Sequence, residues 1–143
     1  MTAFFEHQRS SYRKNYIRNL IMLAASDGNL NEGERYLIYS IGKSRGLKDW
    51  QLENLLAEDI RESEVFVPET LDNRMNLLYD LMRMVYVDGI VDNQEVELIK
   101  QIIAKFRLRQ QLADHLIDLF RYGAPPDGEW KEFVEHVNTA FVR

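Results

Sequence analysis

The chain has 143 residues, of which 45% are hydrophobic, and its formal net charge is −5. This length is sufficient for one ordinary hydrophobic core, so we expect a single domain over residues 1–143. The absence of cysteine excludes disulfides, thiolate metal sites and cysteine nucleophiles. An acidic chain is also a poor match for nucleic acid, whose binding requires a cationic surface.

The beginning of the sequence lacks the basic-then-apolar order of a signal peptide. No apolar run approaches the roughly 18–20 residues needed to cross a bilayer, so we expect a cytoplasmic protein without a transmembrane segment. The segment from Met1 to Ile21 carries a net charge of +3, which leaves −8 on the remainder. This basic segment either contacts anionic lipid or an acidic partner, or is a solvated helix face docked on its own acidic body.

Hydrophobic periodicity predicts an all-α protein, since no segment shows sustained period-two alternation. The first long helix is predicted over residues 11–26, with a looser segment at residues 4–5 before it. Two shorter helices follow, and the first of these ends at Gly46. Residues 61–67 form a bridge to the next helix, and Pro68 suits the first turn of that helix.

One phrase occurs twice, as DGNLNEGE beginning at Asp27 and as DGIVDNQE beginning at Asp88, so the offset in numbering is 61. Apolar residues outside the phrase match at the same offset without a gap. Self-similarity at one fixed offset indicates an internal duplication. We predict a helical bundle of two three-helix repeats, at about residues 12–60 and 71–121, related by a pseudo-twofold axis. A further C-terminal helix is predicted at about residues 128–142.

The phrase has a purely structural interpretation. In each copy the Gly ends one helix in the left-handed conformation, and the next helix begins with an N-cap and a capping-box Glu. The predicted N-caps and their Glu partners are Asn31 with Glu34, and Asp92 with Glu95. Capping does not explain Asp27 and Asp88, because a carboxylate at a helix C-terminus meets the unfavourable end of the helix dipole.

An EF-hand calcium loop is a poor match. The second half of such a loop fits both phrases, since it often has Asp and Gly at the fifth and sixth positions and Glu at the twelfth. The first half fails, because its first and third positions would be Leu23 and Ala25, or Met84 and Tyr86. These side chains offer no carboxylate to a cation that requires six to eight oxygens, so we reject an EF-hand.

The two phrases and the helices before them resemble the tellurite-resistance protein B (TerB) family. The first copy reads AASDG at residues 24–28, then Leu30, Asn31 and Glu34; the second reads VYVDG at residues 85–89, then Val91, Asp92 and Glu95. The resemblance spans roughly residues 12–120 and implies a small all-helical bundle with a pseudo-twofold repeat. It also implies a bacterial stress-response protein, with a protein partner that could be membrane-associated.

In that family the acidic residues of the two turns have been proposed to chelate metal. Carried over to this chain, the candidate ligands are Asp27, Glu34, Asp88 and Glu95, and the candidate cations are Ca²⁺ or Mg²⁺. The acidic density differs between the copies, because Glu32 in the first corresponds to Asn93 in the second. Two equal sites are therefore not expected.

Three functions remain open. The first is a non-enzymatic TerB-like interaction module, with or without a cation at the turns. The second is a metal-dependent hydrolase that uses the same carboxylates, although no motif indicates a catalytic residue or an organic cofactor. The third is an oligomeric scaffold, such as a homodimer, assembled through exposed aromatic residues. The candidate aromatic residues are Tyr36, Tyr39, Trp50 and Trp130.

Overall fold

The computed structural model describes residues 2–28, 30–59, 65–87, 89 and 91–142, with side chains described from residue 11 onward except that of Asp27. Within these residues there are seven α-helices: α1 (Thr2–Ala24), α2 (Glu32–Ser44), α3 (Asp49–Ala57), α4 (Leu71–Val85), α5 (Asn93–Lys105), α6 (Leu112–Phe120) and α7 (Asp127–Ala140). The described residues contain no strand, only a single antiparallel bridge between Leu108 and Val142. The predicted all-α class is confirmed.

The chain divides into two compact units. The N-terminal unit (Met1–Phe66) contains α1 to α3, and the C-terminal unit (Val67–Arg143) contains α4 to α7. The division falls at the end of the predicted bridge, of which residues 61–64 lie outside the described residues. The single domain and the pseudo-twofold axis both stay predictions. None of the described helices has the length and apolarity that a membrane span requires.

The core of the N-terminal unit lies between α1 and the two shorter helices. The fully buried side chains of α1 include Tyr16, Ile17, Leu20 and Leu23. Gly42 brings α2 close to α3, because a Cβ atom at this position would lie 2.5 Å from Cδ2 of Leu52. A larger residue at this position would force the two helices apart.

The core of the C-terminal unit is centred on α4, which α6 and α7 cover. An aromatic cluster joins these helices: the Tyr79 ring lies 5.2 Å from that of Phe120 and 4.9 Å from that of Trp130. The Tyr79 hydroxyl donates a hydrogen bond to the carbonyl of Pro125 (3.0 Å). This bond fixes the chain just before α7 begins.

Helix bounds repeat at the offset found in the sequence. Helix α1 ends at Ala24 and α4 at Val85, while α2 and α5 keep the offset of 61 at both ends. Helices α3 and α6 have the same length, but α6 begins two positions later than the offset places it. Their buried positions nevertheless keep the offset of 61, since Leu55 and Leu116 are both buried. We call two residues related by this offset equivalent.

Two local predictions were wrong. Helix α1 begins at Thr2 rather than near residue 11, because the preceding segment contains neither Gly nor Pro to interrupt it. Pro68 does not lie in the first turn of α4. That helix begins after Thr70, whose side-chain oxygen accepts a hydrogen bond from the Asn73 N–H (3.1 Å).

Candidate functional site at the two Asp-Gly turns

The first Asp-Gly turn (residues 25–31) ends α1 as the sequence predicts. The helix passes into a 3₁₀ turn, Ala25–Asp27, and stops at Gly28, whose φ is 99°. The Gly28 N–H donates to the Ala25 carbonyl (2.9 Å). A positive φ favours glycine because it lacks a Cβ atom, so this residue sets the direction in which the chain leaves the helix.

Asn31 and Glu34 form the predicted capping box at the start of α2. The Asn31 side-chain oxygen accepts from the Glu34 N–H (2.8 Å), and Glu34 Oε1 accepts from the Asn31 N–H (3.0 Å). Glu34 is buried. This predicted metal ligand is therefore held by the backbone of its own turn, with one oxygen already committed to Asn31.

The second Asp-Gly turn (residues 86–92) begins its helix in a slightly different way. Gly89 again has a positive φ, 79°, and its N–H donates to the Tyr86 carbonyl (3.0 Å). Asp92 is the predicted N-cap, but its side chain accepts from the Gln94 N–H (2.6 Å), one residue earlier than the equivalent bond of Asn31. Glu95 is half-buried, whereas Glu34 is buried.

The predicted metal ligands are only partly located. The side chain of Asp27 and the whole of Asp88 lie outside the described residues. Glu34 and Glu95 are described, and each lies in the first turn of its own helix. Among the described side chains, no group of three or more His, Asp or Glu could hold a metal ion. A cation at the turns stays a prediction.

An open groove of about 460 Å³ lies beside the first turn; we call it the first-turn groove. It is lined by Ile21 and Met22 of α1, by Ala25, Gly28 and Leu30 of the turn, by Arg35 of α2, and by residues 56–59. Apolar side chains line it together with the exposed charged side chains of Arg35, Glu58 and Asp59, which we call its rim, and polar surface predominates. A groove that combines apolar side chains with a few charged groups is a candidate binding surface.

One rim carboxylate is fixed by an ion pair. Glu58 accepts two hydrogen bonds from Arg18, from Nε (2.8 Å) and from Nη2 (2.9 Å). These hydrogen bonds, together with the positive charge of Arg18, lower the pKa of the Glu58 carboxyl below its ordinary value. Glu58 is thus an ionised, positioned group at neutral pH. Arg18, from the basic first helix, docks on an acidic residue of its own unit.

In the C-terminal unit a tyrosine side chain lies beside the second turn. Tyr86 is equivalent to Ala25, and its hydroxyl donates to the carbonyl of Ile117 (2.8 Å), which is equivalent to Leu56. The ring therefore bridges the end of α4 and α6. Burial raises the pKa of the Tyr86 hydroxyl, as expected for a phenol removed from water. Ala25 has only a methyl group, which leaves the first-turn groove open.

A second equivalent pair, Asn19 and Asp80, is polar and buried in both units. Asn19 donates from Nδ2 to the Phe66 carbonyl (2.8 Å) and accepts from the Phe66 N–H (3.0 Å). It thus holds the last residue of the N-terminal unit against α1. Asp80 pairs instead with Arg83 (3.1 Å). We did not predict either role, although a polar residue within an apolar helical stripe could have indicated one.

The four aromatic residues predicted for an interface differ in exposure. Tyr36 and Trp50 are 77% and 58% exposed, whereas Tyr39 is half-buried. Trp130 is buried in the aromatic cluster of the C-terminal unit, so its assignment to an interface was wrong. Tyr122, which the prediction omitted, is 96% exposed.

A groove of similar volume, about 490 Å³, lies between α4 and α7. Its lining includes Asp72, Asp127, Glu135 and Lys131, around the side chains of Trp130 and Val134. These charged groups lie on exposed helix positions. Nothing in the chain indicates an occupant for this groove, in contrast with the first-turn groove.

Comparison of the chain with family models, with curated proteins and with solved structures gives no significant match. The TerB resemblance therefore depends on the repeated phrase and the helices that surround it.

Proposed function

We propose that the chain is a non-enzymatic, TerB-like interaction module that binds a protein partner at the first-turn groove. The observation that carries this proposal is the difference between the turns. Beside the second turn, the Tyr86 side chain spans to the Ile117 carbonyl through its hydroxyl, whereas an open groove lined by Ala25 and Leu56 lies beside the first. An exposed apolar surface beside charged groups is a common feature of partner-binding sites.

The proposal includes the duplicated architecture. We propose that each unit contains one copy of a three-helix repeat, α1 to α3 in the N-terminal unit and α4 to α6 in the C-terminal unit. The equivalent bounds of α1 and α4, and of α2 and α5, support this. After duplication, one copy can retain a packing role while the other acquires a binding surface.

The rim of the groove favours binding over catalysis. Glu58 is held by Arg18 and has a lowered pKa, so it is ionised at neutral pH and a poor proton donor. A fixed carboxylate and the Arg35 guanidinium on one rim suit the orientation of a charged partner. By the same reasoning, Arg35 is the rim residue whose charge reversal would disturb binding most directly.

The test is affinity capture from an extract of the source cells. The baits are the native chain, Arg35→Glu, and Lys105→Glu, a matched charge reversal at an exposed position of α5. We expect a partner that the native chain and Lys105→Glu recover equally and that Arg35→Glu recovers about tenfold less, equivalent to ~1.4 kcal/mol. Equal recovery by all three baits would contradict the proposal.

We also propose that each Asp-Gly turn can bind a divalent cation, Ca²⁺ or Mg²⁺, the first through Asp27 and Glu34 and the second through Asp88 and Glu95. Support comes from the chemistry of the turns. An Asp that follows a helix C-terminus meets a negative dipole end, and a cation would offset that repulsion.

Calorimetry of chelator-treated protein tests the cation proposal. Saturable heat and a raised thermal midpoint are expected for the native chain, with loss of both in the double variant Asp27→Asn, Asp88→Asn. The control is Glu53→Gln with Asp114→Asn, two exposed helix positions. Absence of heat with the native chain would reject the cation and leave the interaction module standing.

The scaffold remains a second candidate, because Tyr36 and Trp50 are largely exposed. An interface centred on them would make the sedimentation coefficient depend on protein concentration. Under this alternative, Tyr36→Ala with Trp50→Ala abolishes that dependence. A native chain that sediments as a monomer at all concentrations would exclude it.

A further inference from the structure

We propose that the first-turn groove receives an aromatic side chain, a tyrosine of the partner protein, between Ala25 and Leu56. This inference rests on the groove being the partner surface proposed above, and it adds the chemistry of the group that enters. The phenol ring packs against the apolar side chains that line the groove, and its hydroxyl donates to the Leu56 carbonyl. The tyrosine of the partner thus takes the place that Tyr86 takes in the C-terminal unit.

The C-terminal unit provides the template for this contact. Tyr86 directly follows α4, and its side chain reaches α6, where its hydroxyl donates to the Ile117 carbonyl (2.8 Å). Ala25 and Leu56 are the equivalent residues, and both line the first-turn groove. Leu56 and Ile117 are also alike in being half-buried beside a buried leucine. The groove is therefore the space that a tyrosine ring fills in the other copy.

The acceptor has the same chemistry in both units. Leu56 lies in the last turn of α3, which ends at Ala57, and Ile117 lies in the last turn of α6, which ends at Phe120. Carbonyl groups in the last turn of a helix have no donor within the helix. In the C-terminal unit the phenol hydroxyl supplies that donor, so a phenol is the side chain that the equivalent carbonyl suits.

The rim of the first-turn groove adds a cation that the C-terminal unit lacks at the equivalent place. Arg35 lines the groove, and its equivalent residue is Val96. A guanidinium over an aromatic face is a favourable contact. This chain already contains one, since Arg45 lies 3.8 Å from the centroid of the Tyr16 ring. Arg35 therefore favours an aromatic occupant over an aliphatic one.

The probe is p-cresol, the side-chain analogue of tyrosine, titrated into the full chain and followed by ¹H–¹⁵N correlation spectra. We expect saturable shifts at the amides of Ala25, Gly28, Leu30 and Leu56. Affinity should be in the millimolar range expected of so small a ligand. Toluene, which lacks the hydroxyl, should bind roughly three- to tenfold more weakly, the usual contribution of one hydrogen bond.

Two variants install the residues of the C-terminal unit in the groove. Ala25→Tyr supplies the internal ring and should reduce p-cresol affinity at least about tenfold. Met22→Arg introduces the residue found at the equivalent position, Arg83, into the lining of the groove and should have the same effect. Ala124→Tyr adds a tyrosine at an exposed loop position of the C-terminal unit and should leave binding unchanged.

Three results would overturn the proposal. The first is the absence of saturable shifts at the four amides in the native chain. The second is native affinity in a folded Ala25→Tyr; if that variant does not fold, Met22→Arg decides. The third is a set of groove shifts that depends on protein concentration and disappears in Tyr122→Ser, which would identify the occupant as a second copy of the chain.

The outcome is separable from that of the capture experiment, because p-cresol requires no partner. Failure of p-cresol alongside reduced capture by Arg35→Glu rejects the aromatic group and retains the partner surface. Binding of p-cresol alongside equal capture by all three baits supports the aromatic site and rejects the proposed function of the groove.

Discussion

The two Asp-Gly turns follow the same plan and differ in what lies beside them. Each ends a helix at a left-handed glycine and begins the next helix with a polar N-cap. Beside the second turn, Tyr86 joins α4 to α6 through its hydroxyl. Beside the first, Ala25 leaves a groove of about 460 Å³. The residue at this one position, Ala25 or Tyr86, thus decides whether the space beside the turn is occupied by a side chain or is accessible to solvent.

This difference shows which parts of a repeat are free to change. Capping interactions satisfy backbone groups that a helix end always exposes, so both copies need them. A ring that packs between two helices stabilises its unit, but the bounds of those helices do not depend on it. Its absence from the N-terminal unit is therefore compatible with the same helix bounds, as α1 and α2 show.

The equivalent residues Asn19 and Asp80 show that interactions within the core are also free to differ between the two units. Both occupy one equivalent, buried position, yet Asn19 bonds to the Phe66 backbone and Asp80 pairs with Arg83. The amide can both donate and accept, which suits a peptide group. The carboxylate suits a guanidinium. A buried polar side chain must be satisfied in each unit, but the partner that satisfies it is free to differ.

The largest effect is expected from removing the ring that closes the second turn. Tyr86→Ala should lower the free energy of unfolding by about 2–3 kcal/mol, because a half-buried ring and one hydrogen bond are lost. Denaturant unfolding measures this loss of stability. The control is Tyr122→Ala, because the Tyr122 side chain is 96% exposed. Equal stability of the two variants would mean that Tyr86 does not close the space as described.

A somewhat smaller loss is expected at Asn19. Asn19→Ala removes both hydrogen bonds to Phe66 and should cost about 2 kcal/mol, since two partly buried backbone groups lose their partner. Asn54→Ala, at an exposed position of α3, should change stability by less than about 0.5 kcal/mol. Denaturant unfolding of both variants measures the difference, and a mild effect at Asn19 would show that Phe66 is held by other contacts.

Smaller losses of stability are expected from removing the two N-caps. Asn31→Ala should cost about 1–2 kcal/mol, because it breaks a reciprocal pair with the buried Glu34. Asp92→Ala should cost about 1 kcal/mol or less, because the capping bond that it breaks comes from the exposed Gln94. Thermal unfolding of both variants gives the order. A reversed order would show that the second cap is the stronger.

The smallest effect on stability is expected from lowering the pH, which protonates the Glu58 carboxylate. The pKa of Glu58 is lowered in the folded state by hydrogen bonds from Arg18. Its contribution to stability is therefore complete above the ordinary carboxyl pKa of about 4.3 and is lost as pH falls through the lowered folded pKa. Both side chains are partly exposed, so the loss should be about 0.5 kcal/mol or less.

Comparing the acid unfolding of the native chain with that of Glu58→Gln isolates the contribution of the Glu58 charge to stability. The difference in unfolding free energy between the two proteins should shrink below about pH 4. A difference that stays constant from neutral to acidic pH would show that Glu58 acts by packing and not by charge.

Local features of the fold were predictable from the sequence. The caps at Asn31 and Asp92, and the helix ends at Gly28 and Gly89, are set by interactions within a few residues. The spacing of the repeated phrase was therefore sufficient to locate them. The predicted start of α1 was wrong, because apolar periodicity is weak before residue 11 although the helix continues through that segment.

The groove could not be predicted, because it depends on contacts between residues distant in the chain. The hydroxyl of Tyr86 bonds to the carbonyl of Ile117, 31 residues away. Asn19 and Phe66 are 47 residues apart. The sequence offset identifies Ala25 and Tyr86 as equivalent, but only the packed helices show that one leaves open what the other fills.

The most direct measurement is a p-cresol titration of the exchange variant Ala25→Tyr, Tyr86→Ala beside the native chain. If one position decides which turn is open, the amides that shift should move from Leu30 and Leu56 to the equivalent Val91 and Ile117. The same amides shifting in both proteins, or no shift at the second turn of the variant, would contradict the account.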